Sequence, residues 1–240
     1  MPSASRGRTC RRPKAACERL ARTEPVTDGP VVAVLDYGIG NLRSAQKALE
    51  RVGADARLTA DAGEIASAAG VVLPGVGAFG RCTEALAESG LRGIAGAAAQ
   101  QAIDGGRPFL GICVGLQLLF EGSEESPGSG GLGVLGGTVA MLPGDVKRPQ
   151  MQWNRLDTVD RDGVGGRHPL FDGIADDAWV YFVHGYAAPV GPDTVATCEY
   201  GSTVCAAVAS GTLWATQFHP EKSGGPGLRV LQNFVDRLPA

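Results

Sequence analysis

The chain has 240 residues, 44% of them hydrophobic and 20% charged, which is enough to enclose one large core. Its formal net charge is −3, with an excess of positive charge in the first 29 residues, and the resulting acidic body argues against nucleic-acid binding. No apolar run approaches the ~18 residues that a membrane helix requires. We therefore expect a soluble, cytoplasmic protein with no membrane association.

The amino-terminal segment, residues 1–29, is rich in arginine and has no apolar stretch of the kind that an export signal needs. We predict a disordered extension there, followed by one domain over residues 30–240. The six cysteines form no CxxC pair and show no metal-ligand spacing. The sequence thus predicts neither a disulfide framework nor a metal site.

The chain then begins a strand, turn and helix unit. Val31–Leu35 is a short β-branched run, and a helical pattern starts at Leu42, with Asn41 as the predicted N-cap and Gly53 just past the helix end. The glycines of the intervening turn suggest a dinucleotide-binding fingerprint. Because the third glycine of that fingerprint is missing, a plain turn is the better interpretation.

A second Gly-rich loop follows the predicted buried strand that begins at Val71. Pro74-Gly-Val-Gly77 ends this strand, and the glycines around Val76 would let backbone N–H groups turn toward a ligand, as an oxyanion hole requires. Taken alone, the loop is more simply a strand-terminating turn. Helices are predicted at Arg81–Ser89 and Leu91–Ile103.

The most informative stretch is Pro108–Phe120, where an apolar strand passes through Gly111-Ile-Cys113-Val-Gly115 into a helical pattern. Glycines two residues before and after a cysteine remove Cβ atoms where strand and helix crowd together, so the thiol can stand exposed on a sharp turn. The amino terminus of a following helix favours the thiolate. Cys113 is the candidate nucleophile, although a cysteine in an apolar run is more often a small core residue.

The second half of the chain changes pattern. Glu121–Gly133 is acidic and rich in Gly and Ser, which predicts a surface loop, and Pro226–Leu238 has the spacing of a closing helix. Between them come short predicted strands at Thr138–Leu142, Trp153–Val159, Trp179–Val183, Val195–Glu199, Val204–Ala209 and Thr212–Phe218. The predicted fold is α/β, with a mixed, mostly parallel central sheet, flanking helices and antiparallel additions.

Three histidines could serve as a base for Cys113. His219 follows an apolar strand and precedes Pro220, which favours an extended conformation and lets His219 and Glu221 project to the same side. A carboxylate there would orient the imidazole while its other nitrogen faces the thiol. Cys113, His219 and Glu221 are therefore a candidate triad.

The remaining histidines and two of the cysteines have simpler interpretations. His168 precedes a proline in a Gly-rich segment and is read as a solvated turn residue. His184 alternates with apolar neighbours, which indicates a structural or pocket-lining role. Cys198 and Cys205 lie in strand-like segments without flanking glycines and are predicted to be core residues.

Together, Gly111-Ile-Cys113-Val-Gly115-Leu-Gln117 and the distant His219-Pro-Glu221 resemble the class I glutamine amidotransferases over about residues 31–239. Four further motifs resemble those of the glutaminase subunits of imidazole glycerol phosphate synthase, namely Asp36-Tyr-Gly-Ile-Gly-Asn41, Pro74-Gly-Val-Gly77, Tyr181-Phe-Val-His184 and His219-Pro-Glu-Lys-Ser-Gly224. This resemblance implies that Cys113 attacks the side-chain amide of L-glutamine, that His219 protonates the departing ammonia, and that water hydrolyses the resulting thioester. The ammonia would pass to a (β/α)8-barrel cyclase subunit, bound as a heterodimer, in histidine biosynthesis, and no cofactor or metal is implied.

The resemblance also assigns individual residues. The oxyanion donors would be the backbone N–H groups of Val76 and Val114. The glutamine-binding residues would be Gly77, Gln117, Glu125, Gly185 and Tyr186. The partner interface would include Asn41, Met151, Trp153, Asn154, Tyr181 and Lys222. Two positions depart from the family pattern, which usually has Gly where this chain has Gln152 and Ser or Thr where it has Gly185.

Two other functions are compatible with the same fold. One is the glutaminase that supplies pyridoxal phosphate synthesis, which has a similar triad but a different barrel partner. The His219-Pro-Glu-Lys-Ser run and the Tyr37-Gly-Ile-Gly-Asn start favour the histidine pathway. The other is a catalytically silent binding subunit, against which the complete set of candidate triad residues argues.

Overall fold

The computed structural model describes residues 29–159 and 167–239. The predicted disordered extension over residues 1–29 lies outside this part of the chain, apart from Gly29. The strands are β1 (Val31–Leu35), β2 (Asp55–Thr59), β3 (Gly70–Gly75), β4 (Phe109–Cys113), β5 (Gly122–Ser123), β6 (Thr138–Met141), β7 (Gln150–Arg155), β8 (Asp157–Thr158), β9 (Trp179–His184), β10 (Tyr186–Ala187), β11 (Thr194–Glu199), β12 (Thr203–Ser210) and β13 (Leu213–Thr216).

The central sheet has eight strands in the order β2-β1-β3-β4-β13-β12-β11-β8. The first five are mutually parallel, and β12, β11 and β8 extend the sheet in antiparallel fashion. All residues of β3, β4 and β13 are buried. Because both faces of these strands are buried, their sequences are continuously apolar and do not alternate between apolar and polar residues. The predicted mixed, mostly parallel sheet is confirmed.

The flanking helices are α1 (Leu42–Arg51), α2 (Ala62–Ser67), α3 (Phe79–Glu88), α4 (Arg92–Ile103), α5 (Val114–Gln117) and α6 (Gly224–Val235). Helix α1 ends as predicted, with Gly53 at φ +92° just past its end. Asn41 precedes α1, but its side chain makes no capping hydrogen bond to the helix. Asn41 is nevertheless the N-cap residue as predicted, because its carbonyl oxygen accepts from the Ala45 N–H at 3.1 Å, and the cap is made by the backbone alone.

Two small sheets lie beside the central one. Strand β6 pairs with β5 and β10, and β7 pairs with β9 in an antiparallel ribbon. The predicted single strand Trp153–Val159 is thus two strands, because β7 belongs to the ribbon whereas β8 pairs with β11 of the central sheet. Leu156 separates them and is buried.

The helix after Cys113 is much shorter than its apolar pattern suggests, since α5 ends at Gln117. The next carbonyl groups are taken by the Glu121–Gly133 segment and the residue after it: Leu118 O accepts from the Leu132 N–H, and Leu119 O from the Val134 N–H. These bonds compete with continuation of the helix. In the described residues, no helix is long and apolar enough to cross a membrane.

Candidate active site

Three neighbouring strands of the central sheet bring the candidate residues to one edge. In the register of β3 against β4, Gly75 pairs with Cys113, and in the register of β13 against β4, Thr216 pairs with Ile112. Because β3, β4 and β13 are parallel, their carboxyl ends lie side by side. The Pro74–Gly77 loop, the thiol and the His219 segment therefore start at the same edge.

Cys113 sits on a strained turn between β4 and α5. Its φ is +55°, in the left-handed region that non-glycine residues rarely adopt. A Cβ atom at Gly115 would come within 1.9 Å of the Leu73 carbonyl oxygen, so this glycine is required by the close approach of β3. The sequence prediction of a Gly-flanked elbow at Cys113 agrees with this geometry.

His219 and Glu221 form a buried pair. Nδ1 of His219 lies 2.8 Å from Oε1 of Glu221, and each side chain is 2% exposed. His219 has extended backbone angles as expected, but a 3-10 turn over Pro220–Lys222, rather than strand alternation, brings Glu221 back to the ring. The Ser223 hydroxyl donates to the His219 carbonyl oxygen at 2.6 Å and fixes this turn.

The environment of His219 favours its protonated form. Burial is the largest single effect and acts to lower its pKa, but the thiol of Cys113 and the carboxylate of Glu221 outweigh it and raise the pKa to about 9. Nε2 of His219 has no hydrogen-bond partner among the described residues. The imidazole can therefore hold a proton at neutral pH and deliver it from Nε2.

The Pro74–Gly77 loop is held from behind by two side chains. The Tyr37 hydroxyl donates to the Pro74 carbonyl oxygen at 2.6 Å, and Sγ of Cys82 lies 3.4 Å from the Val76 carbonyl oxygen. Burial raises the pKa of the Cys82 thiol, which keeps it protonated and able to donate. Gly77 has φ +89°, where a side chain would be strained.

A cavity of about 410 Å3 opens over the thiol. Cys113 and His219 line it, with Glu221 behind them at a smaller void. The other lining residues are Gly40, Asn41, Val76, Gly77, Val114, Gln117, Glu125, Val183, His184, Gly185, Tyr186 and Lys222. All the residues predicted for oxyanion stabilisation and glutamine binding thus line one cavity, and so do two of the predicted interface residues, Asn41 and Lys222.

The polar side chains of this cavity are already partly engaged. Glu125 accepts a hydrogen bond from the Phe79 N–H through Oε2 at 2.7 Å, so Oε1 remains for a ligand. Both N–H groups of the Gln117 amide are used, on Tyr186 O at 2.9 Å and on Gln217 Oε1 at 3.0 Å. The Gln117 Oε1 atom remains as an acceptor.

His184 is buried beside the cavity, in agreement with its predicted structural or pocket-lining role. Its Nδ1 lies 2.9 Å from the Tyr186 carbonyl oxygen, which can only accept, so Nδ1 carries the proton. Burial lowers the pKa of His184 to about 4, and the nearby His219 acts in the same direction. This histidine is therefore neutral at physiological pH.

The other predicted interface residues lie on the β7/β9 ribbon. Trp153 pairs with Tyr181 in the strand register, and their rings meet edge to face at 6.0 Å. Met151 and Trp153 are 62% and 47% exposed, which is unusual for large apolar side chains. Asn154 differs from them, since its side-chain amide donates to the Glu199 carbonyl oxygen within this chain.

Two residues with notable positions were not identified from the sequence. Trp179 pairs with Arg155 on the same ribbon and is 52% exposed, and its alternation with Tyr181 along β9 could have revealed it. Gln217 contacts the thiol, with Nε2 3.8 Å from Sγ of Cys113. No sequence pattern identifies Gln217, because its partners are distant in the chain.

Two sequence interpretations outside the site were also resolved. His168 is half-buried and packs edge to face on Trp214 at 5.2 Å, so its interpretation as a solvated turn residue is wrong. Cys198 and Cys205 are buried core residues as predicted. Within residues 29–159 and 167–239, no group of three or more His, Cys, Asp or Glu side chains is arranged to hold a metal ion.

Comparisons with known proteins agree with this fold. The fold resembles a solved glutamine amidotransferase, with a TM-score of 0.63 at 20% identity over 85% of this chain and 98% of the other. It also resembles the structure of PurLQS from Thermotoga maritima, with a TM-score of 0.62 at 18% identity over 87% of this chain and 98% of the other. At these identities the likeness concerns the fold alone.

Sequence relatives are much closer. The imidazole glycerol phosphate synthase subunit HisH of a Synechococcus species is 49% identical over 87% of this chain and 96% of its own length. The subunit of the same name from Rhodopirellula baltica is 48% identical over 85% of this chain and 97% of its own length. A family model described as class-I glutamine amidotransferase matches residues 33–238. The chain therefore belongs to the class I glutamine amidotransferase family and, within it, to the HisH subunits.

Proposed function

We propose that this chain is the glutaminase subunit of an imidazole glycerol phosphate synthase, which releases ammonia from L-glutamine and passes it to a cyclase subunit. The observation that carries the proposal is the shared cavity of Cys113 and His219, with Glu221 bonded to the far side of the imidazole. Family membership gives the reaction class, and this arrangement provides a nucleophile, a proton carrier and an orienting carboxylate for it.

The reaction proceeds in two halves. The Cys113 thiolate forms a bond to the amide carbon of glutamine, and the tetrahedral intermediate collapses when His219 gives its proton to the nitrogen, so ammonia leaves and a thioester remains. His219, now neutral, takes a proton from water as the water attacks the thioester. Glutamate is released, and the sulfur leaves as the thiolate beside a protonated imidazole.

Charge develops on the amide oxygen in both halves. We assign its stabilisation to the backbone N–H groups of Val76 and Val114, which belong to residues lining the cavity on either side of the thiol. Removal of one oxyanion-hole donor costs about 3 to 4 kcal/mol of transition-state stabilisation in an acyl-transfer enzyme. The bonds from Tyr37 and Cys82 to the loop carbonyls support this arrangement from behind.

Recognition of the substrate falls to the remaining polar atoms of the cavity. A glutamine molecule carries an ammonium group, for which the Oε1 atoms of Gln117 and Glu125 are suitable acceptors. Its carboxylate would meet backbone N–H groups of Gly77, Gly185 or Tyr186, which also line the cavity. Glu125 supplies the negative charge that favours an amino acid over a simple amide.

The partner we propose is a (β/α)8-barrel cyclase subunit, bound as a heterodimer. The relatives are named as subunits. On the β7/β9 ribbon, the exposed Met151 and Trp153 and the half-buried Tyr181 supply the apolar and aromatic anchors typical of a stable interface. Asn41 and Lys222 line the cavity and would meet the partner where ammonia leaves. Asn154 contributes by holding the ribbon to β11 through the Glu199 carbonyl.

The test uses the complex of this chain with its cyclase subunit and compares Cys113→Ala with the buried control Cys198→Ala. We expect Cys113→Ala to abolish glutamine-dependent turnover and to leave ammonium-dependent turnover intact, because Ala keeps the Cβ atom on the strained turn. Cys198→Ala should retain both activities. Glutamine-dependent turnover by Cys113→Ala would contradict the assignment of the nucleophile, and activity only with a pyridoxal phosphate-synthesising barrel would assign the chain to that pathway.

A further inference from the structure

Gln217 is a fully buried polar residue at the site, with 0% of its surface exposed. It follows β13 and precedes Phe218 and His219, and its backbone N–H donates to the Ala206 carbonyl oxygen, which fixes its position on the sheet edge. Its side chain contacts Cys113 on one side and Gln117 on the other. A buried amide of this kind is costly unless each polar atom has a partner.

The direction of these hydrogen bonds is determined by one carbonyl group. Tyr186 O can only accept, so the Gln117 atom that faces it at 2.9 Å is Nε2. The same Nε2 donates to Gln217 at 3.0 Å, so the atom of Gln217 that faces it is Oε1. The other end of the Gln217 amide, Nε2, therefore faces Sγ of Cys113 at 3.8 Å.

We propose that Gln217 donates a hydrogen bond to the Cys113 sulfur during catalysis, and that Gln117 is the positioning residue that holds the Gln217 amide in the donating orientation. The inference rests on the proposed function of Cys113 as the nucleophile. A donor directed at a sulfur stabilises its anionic form more than its neutral form. The bond thus favours the thiolate before attack and again when the sulfur leaves the thioester.

The titratable groups that share the cavity with the sulfur are His219, His184, Glu125, Tyr186 and Lys222. His219 and Glu221 lie after β13 and form the buried pair already described, and Tyr37 and Cys82 reach the region from β1 and α3. Burial raises the pKa values of Tyr37 and Cys82, which favours the neutral form of both groups. Gln217 is thus a donor to the sulfur that does not titrate, in contrast to His219.

The hydrogen-bond chain also connects the sulfur to the substrate site. Tyr186 and Gln117 line the cavity and are assigned to glutamine binding, and the path from them to Sγ passes through one residue, Gln217. A substrate ammonium on Gln117 Oε1 would polarise the Gln117 amide toward Gln217. Substrate binding would then strengthen the donor on the sulfur.

The test measures alkylation of Cys113 by iodoacetamide against pH in the complex with the cyclase subunit, with mass spectrometry locating the modified residue. Gln217→Glu replaces the donor with an acceptor of the same shape, and Gln217→Met removes it at similar volume. We expect the alkylation midpoint to move upward in both, by about one pH unit in Gln217→Glu, which is about a tenfold fall in rate at pH values well below both midpoints. Gln101→Glu, an exposed change of equal charge in α4, should not move it.

An unchanged alkylation profile in a folded Gln217 variant would overturn the proposal. A measurement on the unsubstituted chain gives an independent answer: alkylation of Cys113 should shift the side-chain amide resonance of Gln217, and an unshifted resonance would also overturn it. Neither readout requires glutamine turnover. Absence of turnover in the unsubstituted complex would count against the proposed function and not against the contact between Gln217 and the sulfur.

Discussion

The imidazole of His219 is bonded to Glu221 across 2.8 Å in a place where both side chains are almost completely buried. This contact fixes which ring nitrogen is left for chemistry, because Nδ1 is occupied and Nε2 is not. Cys113 and this contact with Glu221 together offset the cost of burying a positive charge, which is why the pKa of His219 is raised to about 9 despite burial. The predictions for Glu221→Gln and for the pH dependence of His219 rest on this contact.

The first prediction concerns Glu221→Gln in the complex with the cyclase subunit. The amide keeps the shape but removes the charge, so the protonated imidazole loses support and the wrong tautomer becomes accessible. Glutamine-dependent kcat should fall about 10³- to 10⁴-fold, as in serine enzymes that lose the orienting carboxylate. Steady-state glutaminase assays measure this, and turnover with ammonium should be unaffected. A fall smaller than tenfold would argue against an orienting role.

The second prediction concerns the support of the Pro74–Gly77 loop by Tyr37. Tyr37→Phe leaves the buried Pro74 carbonyl without its donor and should cost about 1 to 2 kcal/mol of unfolding free energy, measured by urea denaturation. It should also lower glutamine-dependent kcat more than it changes KM, since the loop acts in the transition state. Tyr200→Phe is the matched control, because its hydroxyl bonds the exposed Lys147 carbonyl at the same 2.6 Å. Equal losses in the two variants would contradict the prediction.

The third prediction concerns the close approach of β3 and the Cys113 elbow. Gly115→Ala places a methyl group 1.9 Å from the Leu73 carbonyl oxygen, so the elbow must move. We expect a loss of about 3 kcal/mol or more in stability, together with loss of glutaminase activity. In contrast, a Cβ atom at Gly96 in α4 would lie 4.0 Å from Leu132 Cδ2, an ordinary contact, and Gly96→Ala should stabilise the protein by about 0.5 to 1 kcal/mol. Thermal and urea unfolding of both variants measures these two changes in stability, and a Gly115→Ala variant as stable as the unsubstituted protein would contradict the prediction.

The fourth prediction concerns His184 and acid stability. Its folded-state pKa of about 4 lies below the ordinary 6.5, so the unfolded chain takes up the proton first as the pH falls. Stability is therefore lost between about pH 6.5 and 4, by about 2 kcal/mol at pH 5 relative to pH 7.5. His184→Asn keeps a donor for the Tyr186 carbonyl oxygen but does not titrate. Between pH 7.5 and 5, its unfolding free energy should therefore fall by about 2 kcal/mol less than that of the unsubstituted protein.

His219 has the opposite effect in a separate pH range. Its folded-state pKa is raised, so its contribution is complete below pH 6.5 and is lost as the pH rises through 9. The two histidines can thus be separated in one urea-unfolding series across pH. An unchanged acid limb in His184→Asn would contradict the assignment of a buried neutral imidazole.

The fifth prediction concerns the exposed face of the β7/β9 ribbon. Trp153→Ala should weaken binding to the cyclase subunit at least about tenfold, because large aromatic anchors dominate the energy of such interfaces. Met141→Ala is the control, since Met141 is similarly exposed on β6, outside the ribbon. Titration calorimetry with the isolated cyclase measures both affinities. Equal affinities for the two variants would place the interface elsewhere.

The sequence by itself determined the local features of this protein. The glycines around Cys113 by themselves indicate a sharp strand-to-helix turn. Continuous apolar runs by themselves indicate buried parallel strands. The pairing of His219 and Glu221 could be predicted because they lie two positions apart on either side of Pro220, although a 3-10 turn rather than strand alternation brings them together. These signals lie within a few residues of one another, where chain geometry alone fixes what can meet.

Only the tertiary structure decided which side chains come into contact and which protonation states the histidines take. The strand register brings Gln217 to Cys113 across 104 positions and Tyr37 to Pro74 across 37, and no periodicity in the sequence encodes either contact. The protonation of His184 and His219 depends likewise on burial and on neighbours from other strands. The physical reason is that side-chain patterns record which face of an element is buried, whereas register and desolvation arise only when the elements pack together.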